Sequence, residues 1–172
     1  MKIVVADDLP ASALDLLRAE GWSVDARTGR SPDQLAADVA EADAIVVRSA
    51  TKVTAAIINA ARRLRVIARA GTGVDNVDVP AASARGVVVM NAPGANSVSV
   101  AELAVGLILA MARHLPAADA AMKQGKWQKN TFLGEEVREK TLGLAGLGRI
   151  GQEVARRAQL RHAHHRARSL YL

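Results

Sequence analysis

The sequence predicts an α/β fold in which a flavodoxin-like parallel sheet precedes the start of a Rossmann dinucleotide-binding domain. Short β-branched runs alternate with Ala- and Leu-rich amphipathic stretches, which is the pattern of βα units in a parallel sheet. Five such runs fall within residues 1–98 and are joined by short connections. A further apolar run, at 141–145, leads directly into a glycine-rich turn. These observations predict one complete sheet domain and the beginning of a second domain.

The strands and helices of the first domain should follow each other in strict alternation. We expect strands at 2–6, 23–26, 44–47, 65–69 and 86–90, and helices at 10–20, 31–40, 53–61 and 79–85. Ser31 before Pro32 has the residue types of an N-cap and a first helical position, and Asp78 before Pro80 offers a similar start. Each crossover should be right-handed.

The chain after Asn96 has a different composition. Residues 97–115 predict one long helix that is apolar nearly all round, and such a helix is usually buried between two bodies. We expect further elements as a helix at 116–125, a buried strand at 141–145 and a helix at 152–159.

Composition and charge exclude several classes of site. The 172 residues contain no cysteine, which rules out disulfides, thiolate metal sites and a cysteine nucleophile. The longest apolar run, 103–112, is too short for a bilayer, which needs about 20 residues. Asp7 and Asp8 directly follow the first apolar run, which argues against a secretory signal. We therefore expect a cytoplasmic protein without a membrane partner.

The glycine motif G-x-G-x-x-G occupies Gly146, Gly148 and Gly151, between a predicted strand and a predicted helix. In that context the first glycine permits a tight turn, the second lets the backbone approach a pyrophosphate, and the third allows close helix–strand packing. The helix N-terminus would present N–H groups to the anion. The alternative is a glycine-rich turn without a ligand. An acidic residue for the ribose, about 20 residues further on, has no counterpart in this chain.

A second candidate site lies at the carboxyl edge of the predicted sheet, where open α/β sheets bind ligands. Arg48 ends the third strand and Arg69 ends the fourth. Gly71 and Gly73 follow, and their backbone N–H groups could converge on a carboxylate. Two guanidinium groups beside such a loop suit a substrate with a carboxylate and a phosphate. The alternative is that both arginines form surface ion pairs.

Other polar residues support weaker interpretations. Asp7 and Asp8 end the first strand as in phosphorylatable receiver domains, but Arg48 stands where the phospho-accepting Asp would be, so we expect the two acids to cap the first loop and helix. His114 at the end of the long helix would complement the helix dipole. A metal tract at His162, His164 and His165 is disfavoured, and metal sites are expected to be absent.

Four segments together resemble the NAD-dependent D-2-hydroxyacid dehydrogenases. They are 46–54, 69–78, the Asn91-Ala92-Pro93 and Asn96-Ser97 pair of motifs, and 146–151. The resemblance runs in order from Met1 to about Gln159. It implies a split flavodoxin-like substrate domain, an inserted Rossmann domain, NAD as cofactor, a small-molecule substrate and a homo-oligomer.

The resemblance also implies roles for individual residues. Substrate would be bound by Arg48, Ser49, Arg69, Gly71, Gly73 and Asn96. The cofactor would be bound by Thr72, on the nicotinamide side, and by Gly146, Gly148, Arg149, Ile150 and Gly151. The family's catalytic arginine, histidine and carboxylate follow the glycine motif at positions with no counterpart here, so no residue is assigned to the chemical step.

The Arg48 and Arg69 pair favours a phosphorylated 2-hydroxy acid within this family. The resemblance then implies oxidation of 3-phospho-D-glycerate to 3-phosphohydroxypyruvate, at the start of serine biosynthesis. Alternatives are reduction of hydroxypyruvate or glyoxylate, NADP in place of NAD, and a non-catalytic anion-binding or interaction module.

The resemblance divides the chain into a substrate-binding domain at 1–98, interdomain helices with the first βα unit of the Rossmann domain at 99–159, and an aberrant tail at 160–172. The tail holds three of the 23 Lys and Arg residues and none of the 17 acidic ones. For one choice of synonymous codons, a neighbouring reading frame encodes Phe-Gly-Met-Arg-Ile-Ile-Ala-His-Asp-Pro-Tyr-Ile, a turn, a strand and the expected Asp.

We therefore expect a frameshifted tail, and the nucleotide sequence at this junction tests that expectation. We expect no nucleic-acid partner for the basic residues of the tail, because the body of the chain is nearly balanced in charge. In this interpretation strand 141–145 has no neighbours and the long helix has an uncovered apolar patch. We therefore expect residues 100–172 to be partly disordered or aggregating and the chain alone to be inactive.

Overall fold

The computed structural model describes residues 1–158 and 168–170. The chain divides into two compact units, Met1–Ala95 and Asn96–Leu172. In the part of the chain that is described, no single helix is long and apolar enough to cross a membrane. Helices Ser97–Ala112 and Leu115–Lys123 reach that length together but are bent by 65° at the break between them.

The first unit is built on a five-stranded, all-parallel sheet. Its strands are β1 Lys2–Val5, β2 Ser23–Ala26, β3 Ala44–Val47, β4 Val66–Arg69 and β5 Val88–Asn91. They lie in the order β2-β1-β3-β4-β5, which is the flavodoxin-like order. The predicted α/β fold class is confirmed, and each observed strand lies within or one residue beyond its predicted range.

Four helices connect these strands: α1 Ala11–Ala19, α2 Pro32–Val39, α3 Ala55–Ala60 and α4 Val79–Ala84. The Ser31 side chain accepts the Gln34 amide while the Gln34 side chain accepts the Ser31 amide, so that a full capping box starts α2. Asp78 caps α4 by accepting the Ala81 amide at 3.0 Å. Both predicted helix starts are confirmed.

The sheet buries its two faces unequally, because successive side chains of a strand point to opposite faces. On one face Val4, Ile45 and Ile67 are fully buried with residues of α2, α3 and α4. On the other face Ile3 and Val5 pack with partly buried side chains of α1 and its neighbours. The fully packed face fixes the sheet register, which in turn aligns the loops at the carboxyl edge.

The chain reverses its winding direction between β1 and β3, which are adjacent in the sheet. Val5 pairs with Val46, so the residues that follow these two strands leave the sheet side by side. In open α/β sheets the crevice at such a switch point is the usual ligand site. The loops that follow β1, β3 and β4 therefore form the region of interest in this unit.

The second unit contains α5 Ser97–Ala112, α6 Leu115–Lys123, β6 Gly143–Ala145, α7 Arg149–Ala158 and β7 Arg168–Leu170. β6 pairs in parallel with β7, with Leu144 opposite Ser169. The prediction that this strand has no neighbour is therefore wrong, because the chain returns beside β6 after α7. The predicted tail at 160–172, with its histidines, otherwise lies outside the described residues.

The long helix α5 differs from its prediction in burial, and it ends at Ala112 rather than at residue 115. Leu103 is 62% exposed and Met111 75% exposed, whereas α5 buries only Ser97 and Ala101. The predicted burial of the helix is wrong, and the predicted apolar patch is present, because the elements that pack on α5 cover one side of it. His114 follows α5 with a left-handed φ of 53° and precedes α6. It therefore lies between two helices and not in the last turn of one.

Candidate functional site

The carboxyl edge of the first unit brings together the loops after β1, β3 and β4. Arg48 directly follows β3 and is exposed. Its guanidinium donates to the Asp8 carbonyl at 3.3 Å. Among the described residues no carboxylate forms an ion pair with Arg48, so the alternative of a surface ion pair does not account for this arginine. It presents a positive charge at the switch point.

Asp7 binds the backbone of the loop that carries Arg48. Its carboxylate accepts the Arg48 amide at 2.6 Å, the Thr51 amide at 3.2 Å and the Thr51 hydroxyl at 2.5 Å. Burial raises the pKa of the Asp7 carboxyl, but the hydrogen bonds from Thr51 and from the amides of Arg48 and Ala50 outweigh burial and hold this pKa below its usual range.

The expectation that Asp7 and Asp8 cap the first helix is therefore wrong. The N-cap of α1 is Pro10, which makes no side-chain capping bond. Asp7 instead reaches the neighbouring loop, because β1 and β3 are adjacent and bring the end of one strand beside the end of the other.

Asn76 holds the same loop through its carbonyl groups. Its side-chain amide donates to the Arg48 carbonyl at 2.8 Å and to the Thr51 carbonyl at 2.6 Å. Asn76 is 9% exposed, and its buried Oδ1 has no hydrogen-bond partner in the described structure. The residue lies in the loop after β4, so this contact joins the β3 and β4 loops.

Arg69 folds over the glycine loop that follows it. Its guanidinium donates to the Gly73 carbonyl at 2.6 Å and to the Arg48 carbonyl at 3.3 Å. It lies 3.8 Å from the carboxylate of Asp75, and its side chain is 12% exposed. Part of the charge of Arg69 is thus directed at the protein's own backbone, and it reaches solvent less than Arg48 does.

The glycine loop after β4 is compact. The Gly71 amide donates to the Arg69 carbonyl at 2.8 Å, so a carboxylate would compete with this carbonyl for the amide. A Cβ on Gly71 would lie 3.0 Å from the Arg69 guanidinium, and one on Gly73 would lie 2.8 Å from the Asp75 carboxylate. A side chain at either glycine would therefore displace the end of a neighbouring side chain, Arg69 in one case and Asp75 in the other.

The remaining predicted substrate residues are placed unequally. Ser49 is exposed in the same loop as Arg48. Thr72 is exposed, and its carbonyl accepts the Asn91 side chain at 2.6 Å. Asn96 begins the second unit as the N-cap of α5, where its carbonyl accepts the Val100 amide. The structure thus groups the predicted residues of the first unit, from Arg48 to Gly73, at one edge.

The second candidate site is the turn between β6 and α7. Gly146 has a φ of 97°, which a residue with a side chain rarely adopts. A Cβ on Gly151 would lie 2.4 Å from the Gly146 carbonyl oxygen, whereas a Cβ on Gly148 would meet nothing within 4 Å. Gly146 therefore makes the tight turn, Gly148 leaves open space for a ligand, and Gly151 packs closely. These are the three features that the motif predicts.

The geometry of this turn fits a dinucleotide pyrophosphate. Arg149 begins α7, and Ile150 is 37% exposed beside it. The Gln152 amide donates to the Gly148 carbonyl, which closes the first helical turn. The exposed start of α7 presents N–H groups and the positive end of the helix dipole, the usual setting for a phosphate group.

Sequence reasoning missed Asp7 and Asn76 as members of the first site. The sequence analysis considered Asp7 only as a cap of the first loop and helix, and Asn76 only as part of the segment 69–78. The signal for Asp7 was available, because adjacent parallel strands bring their carboxyl ends together. The contact of Asn76 with two backbone carbonyls had no sequence signal, since it depends on the path of the loop.

Comparison with known proteins agrees with this geometry. A family model described as D-isomer specific 2-hydroxyacid dehydrogenase, catalytic domain, matches residues 3–168. The D-3-phosphoglycerate dehydrogenase of Archaeoglobus fulgidus is 50% identical over 159 residues, and that of Homo sapiens is 49% identical over 158 residues. Each alignment covers 92% of this chain and 30% of the relative.

Solved structures give the same result. The NAD+-bound 3-phosphoglycerate dehydrogenase of Entamoeba histolytica is 32% identical with a TM-score of 0.73, over 92% of this chain and 50% of that one. The present chain therefore spans half of that solved chain and 30% of the curated relatives. The family resemblance in the sequence is confirmed. The chain belongs to the D-isomer specific 2-hydroxyacid dehydrogenase family.

Proposed function

We propose that this chain contributes the hydroxy-acid site and the first part of the dinucleotide site of a D-3-phosphoglycerate dehydrogenase. Such an enzyme oxidises 3-phospho-D-glycerate to 3-phosphohydroxypyruvate with NAD. The substrate loses a hydride from C2 and a proton from the C2 hydroxyl, and NAD supplies the hydride acceptor when it is bound. The residues of this chain act by binding and orienting the two molecules.

The observation that carries the proposal is the exposed Arg48 at the β1/β3 switch point. A guanidinium there can form charge-assisted hydrogen bonds with a carboxylate or a phosphate. Ser49 follows in the same exposed loop. We assign the substrate carboxylate to the amides of Gly71 and Gly73, where it would replace the Arg69 carbonyl as the acceptor for the Gly71 amide. Arg69 donates to the carbonyl groups of Gly73 and Arg48 and adds a second positive charge.

The family resemblance also assigns Asn96, the N-cap of α5, to substrate binding. We assign the first unit, with a boundary close to the proposed position 98, to substrate binding. The curated relatives that share about half of the aligned residues support 3-phospho-D-glycerate as the substrate.

The turn between β6 and α7 is the proposed pyrophosphate site. The open space at Gly148 lets its backbone approach the diphosphate, and Arg149 and Ile150 flank the helix start. Gly146 and Gly151 give the turn its shape. The family resemblance assigns Thr72, in the loop after β4, to the nicotinamide. NAD+ bound in a solved relative of this family supports the choice of cofactor.

The proposal is tested by titrating the 172-residue chain with 3-phospho-D-glycerate in a calorimeter. Arg48→Gln keeps a polar side chain but removes the charge, and we expect it to weaken binding by about tenfold or more, since a hydrogen bond to a charged group contributes roughly 1.5–3 kcal/mol. The matched control is Arg62→Gln. Arg62 is exposed, lies in the connection before β4 and forms an ion pair with Glu41.

Two results would count against this function. Equal affinity of the Arg48→Gln and wild-type proteins would remove Arg48 from the site. Glyoxylate, which carries a carboxylate and no phosphate, is the comparison ligand. Tighter binding of glyoxylate than of 3-phospho-D-glycerate would favour a reductase of unphosphorylated acids instead.

A further inference from the structure

The loop that carries Arg48 is fixed by its backbone and not by its exposed side chain. Arg48 donates its amide to Asp7 at 2.6 Å and offers its carbonyl to Asn76 at 2.8 Å. The Arg69 guanidinium adds a third contact to the Arg48 carbonyl at 3.3 Å. Both peptide groups of Arg48 are therefore held, while its guanidinium reaches the carboxyl edge of the sheet.

Thr51 is held in the same way at the other end of this short loop. Its amide and its hydroxyl donate to the Asp7 carboxylate, the hydroxyl at 2.5 Å. Its carbonyl accepts the Asn76 side chain at 2.6 Å. The Asp7 carboxylate thus accepts the N–H groups of both loop ends, and the Asn76 side-chain amide donates to both of their carbonyl groups.

Burial makes these contacts exacting. Asp7 is 7% exposed and Asn76 9% exposed, so an unmet hydrogen bond at either residue would not be replaced readily by bulk water. A carboxylate that accepts several hydrogen bonds is also well compensated for its desolvation. Each of the two residues lies on a different strand connection, after β1 and after β4, and both connections pack against the loop after β3.

We propose that Asp7, Thr51 and Asn76 act as positioning residues that fix the loop 48–51 so that Arg48 meets its anionic substrate in one geometry. This inference rests on the proposed function, because it assigns the loop's purpose to substrate binding. A loop that is already ordered loses less conformational freedom when the ligand binds, which raises affinity without any new ligand contact.

The charge of Asp7 makes the inference sharply testable. A negative charge beside an anion site weakens anion binding by simple electrostatics, so Asp7→Asn should strengthen binding if charge were its only effect. The positioning role predicts the opposite sign. The Asn side chain keeps the size of Asp but has one acceptor oxygen and no charge. With its NH2 group toward the Arg48 and Thr51 amides it loses both of their hydrogen bonds, and with that group toward the Thr51 hydroxyl it keeps them only as weaker bonds to a neutral acceptor.

Thr51 supplies a matched pair of variants that should both fold. Thr51→Val keeps the shape of the side chain and removes the hydroxyl, and Thr51→Ser keeps the hydroxyl. We expect Thr51→Val and Asp7→Asn to bind 3-phospho-D-glycerate about tenfold more weakly than the wild type, and Thr51→Ser to stay within about twofold. Calorimetric titration of the 172-residue chain gives the affinities, and urea unfolding confirms that each variant is folded.

Amide hydrogen exchange without ligand separates this inference from the proposed function. The Arg48 and Thr51 amides should exchange slowly in the wild type and at least about tenfold faster in Asp7→Asn. If the wild type binds no 3-phospho-D-glycerate, the proposed function fails and the substrate-positioning role fails with it, whereas slow exchange would still show that the loop is held. If the wild type binds and either Asp7→Asn or Thr51→Val binds as well or better, the proposed function stands and the positioning role is overturned.

Discussion

The buried guanidinium of Arg30 links three elements of the first unit. Its side chain is 5% exposed and lies 2.8 Å from the Asp38 carboxylate on α2 and 2.9 Å from the Asp25 carboxylate on β2. It also donates to the Val5 carbonyl of β1 at 2.9 Å. Arg27 covers the same two carboxylates from the solvent side. The hydrogen bond from Arg27, with the charges of both arginines, lowers the pKa of Asp25 to about 2.

This ion-pair cluster predicts an acid-dependent contribution to stability. Because the pKa of Asp25 is lower in the folded state, its contribution is complete above the unfolded value of about 3.9 and is lost as the pH falls towards 2. Asp25→Asn should therefore lower the free energy of unfolding at pH 7, and its difference from the wild type should shrink below pH 4. Urea unfolding at pH 7, 4 and 2.5 measures this difference.

Asp15→Asn, on the exposed surface of α1, is the control for this experiment. A difference between Asp25→Asn and wild type that stays constant from pH 7 to pH 2.5 would contradict the ionic role of Asp25.

At the residue scale, the sequence predicted positions better than contacts. Arg48 and Arg69 were expected at the carboxyl edge, and both lie there. The sequence did not show that the Arg69 guanidinium donates to the carbonyl groups of Gly73 and Arg48, because those contacts depend on how the glycine loop folds back. Asp7 was likewise expected to cap its own loop and helix, because these are its neighbours in sequence. In the structure it binds the loop after β3, which is its neighbour in the sheet.

The turn between β6 and α7 shows how three glycines of one motif differ at the scale of an element. Gly151 lies against the Gly146 carbonyl, so its missing side chain serves packing within the βα unit. Gly148 faces open space, so its missing side chain has no purpose within the described structure. The purpose that the proposed function gives it is the approach of a pyrophosphate.

This difference predicts opposite effects for two alanine variants. Gly151→Ala should destabilise the second unit by about 1–3 kcal/mol, because its Cβ would collide with backbone. Gly148→Ala should leave the melting temperature nearly unchanged and weaken NADH binding by about tenfold, because its methyl group would occupy the approach of the diphosphate. Thermal unfolding and a fluorescence titration of NADH measure the two effects. Unchanged dinucleotide affinity in Gly148→Ala would argue against the pyrophosphate site.

Element prediction succeeded where a local signal existed. The caps at Ser31 and Asp78 are determined by side chains within three residues, and both were predicted. The burial of α5 was not predicted correctly, because its composition is apolar on all sides and carries no information about which neighbours cover it. The partner of β6 was missed because parallel pairing joins residues that are distant in sequence, here Gly143 and Arg168.

The two units differ in how completely they are built. The first has a five-stranded sheet with buried side chains on both faces. The strands described in the second unit form a two-stranded sheet, and much of the apolar surface of α5 is exposed. Isolated two-stranded pairs are marginal in water, whereas larger sheets with a packed face are independently stable.

We therefore expect limited proteolysis to cut the second unit first. The resistant product should be an N-terminal fragment that ends close to Ala95, the last residue of the first unit. Mass spectrometry of a digestion time course identifies it. Loss of the first unit at the same rate as the second would contradict the difference in stability.

The strand order of the whole first unit and its ligand-binding edge could be predicted from the alternation of elements, because flavodoxin-like topology follows from few rules. The course of the second unit could not, since it depends on packing between distant segments.

The proposed function depends most on binding of 3-phospho-D-glycerate at the β1/β3 edge of the first unit. The direct test is a two-dimensional ¹⁵N–¹H NMR titration of the 172-residue chain with this ligand. We expect saturable shifts of the amides at 48–51 and 69–76, with little change at residues of the opposite edge such as Arg62 and Arg65. Saturable binding that leaves the amides at 48–51 and 69–76 unshifted, or no binding by the folded chain, would contradict the proposed function.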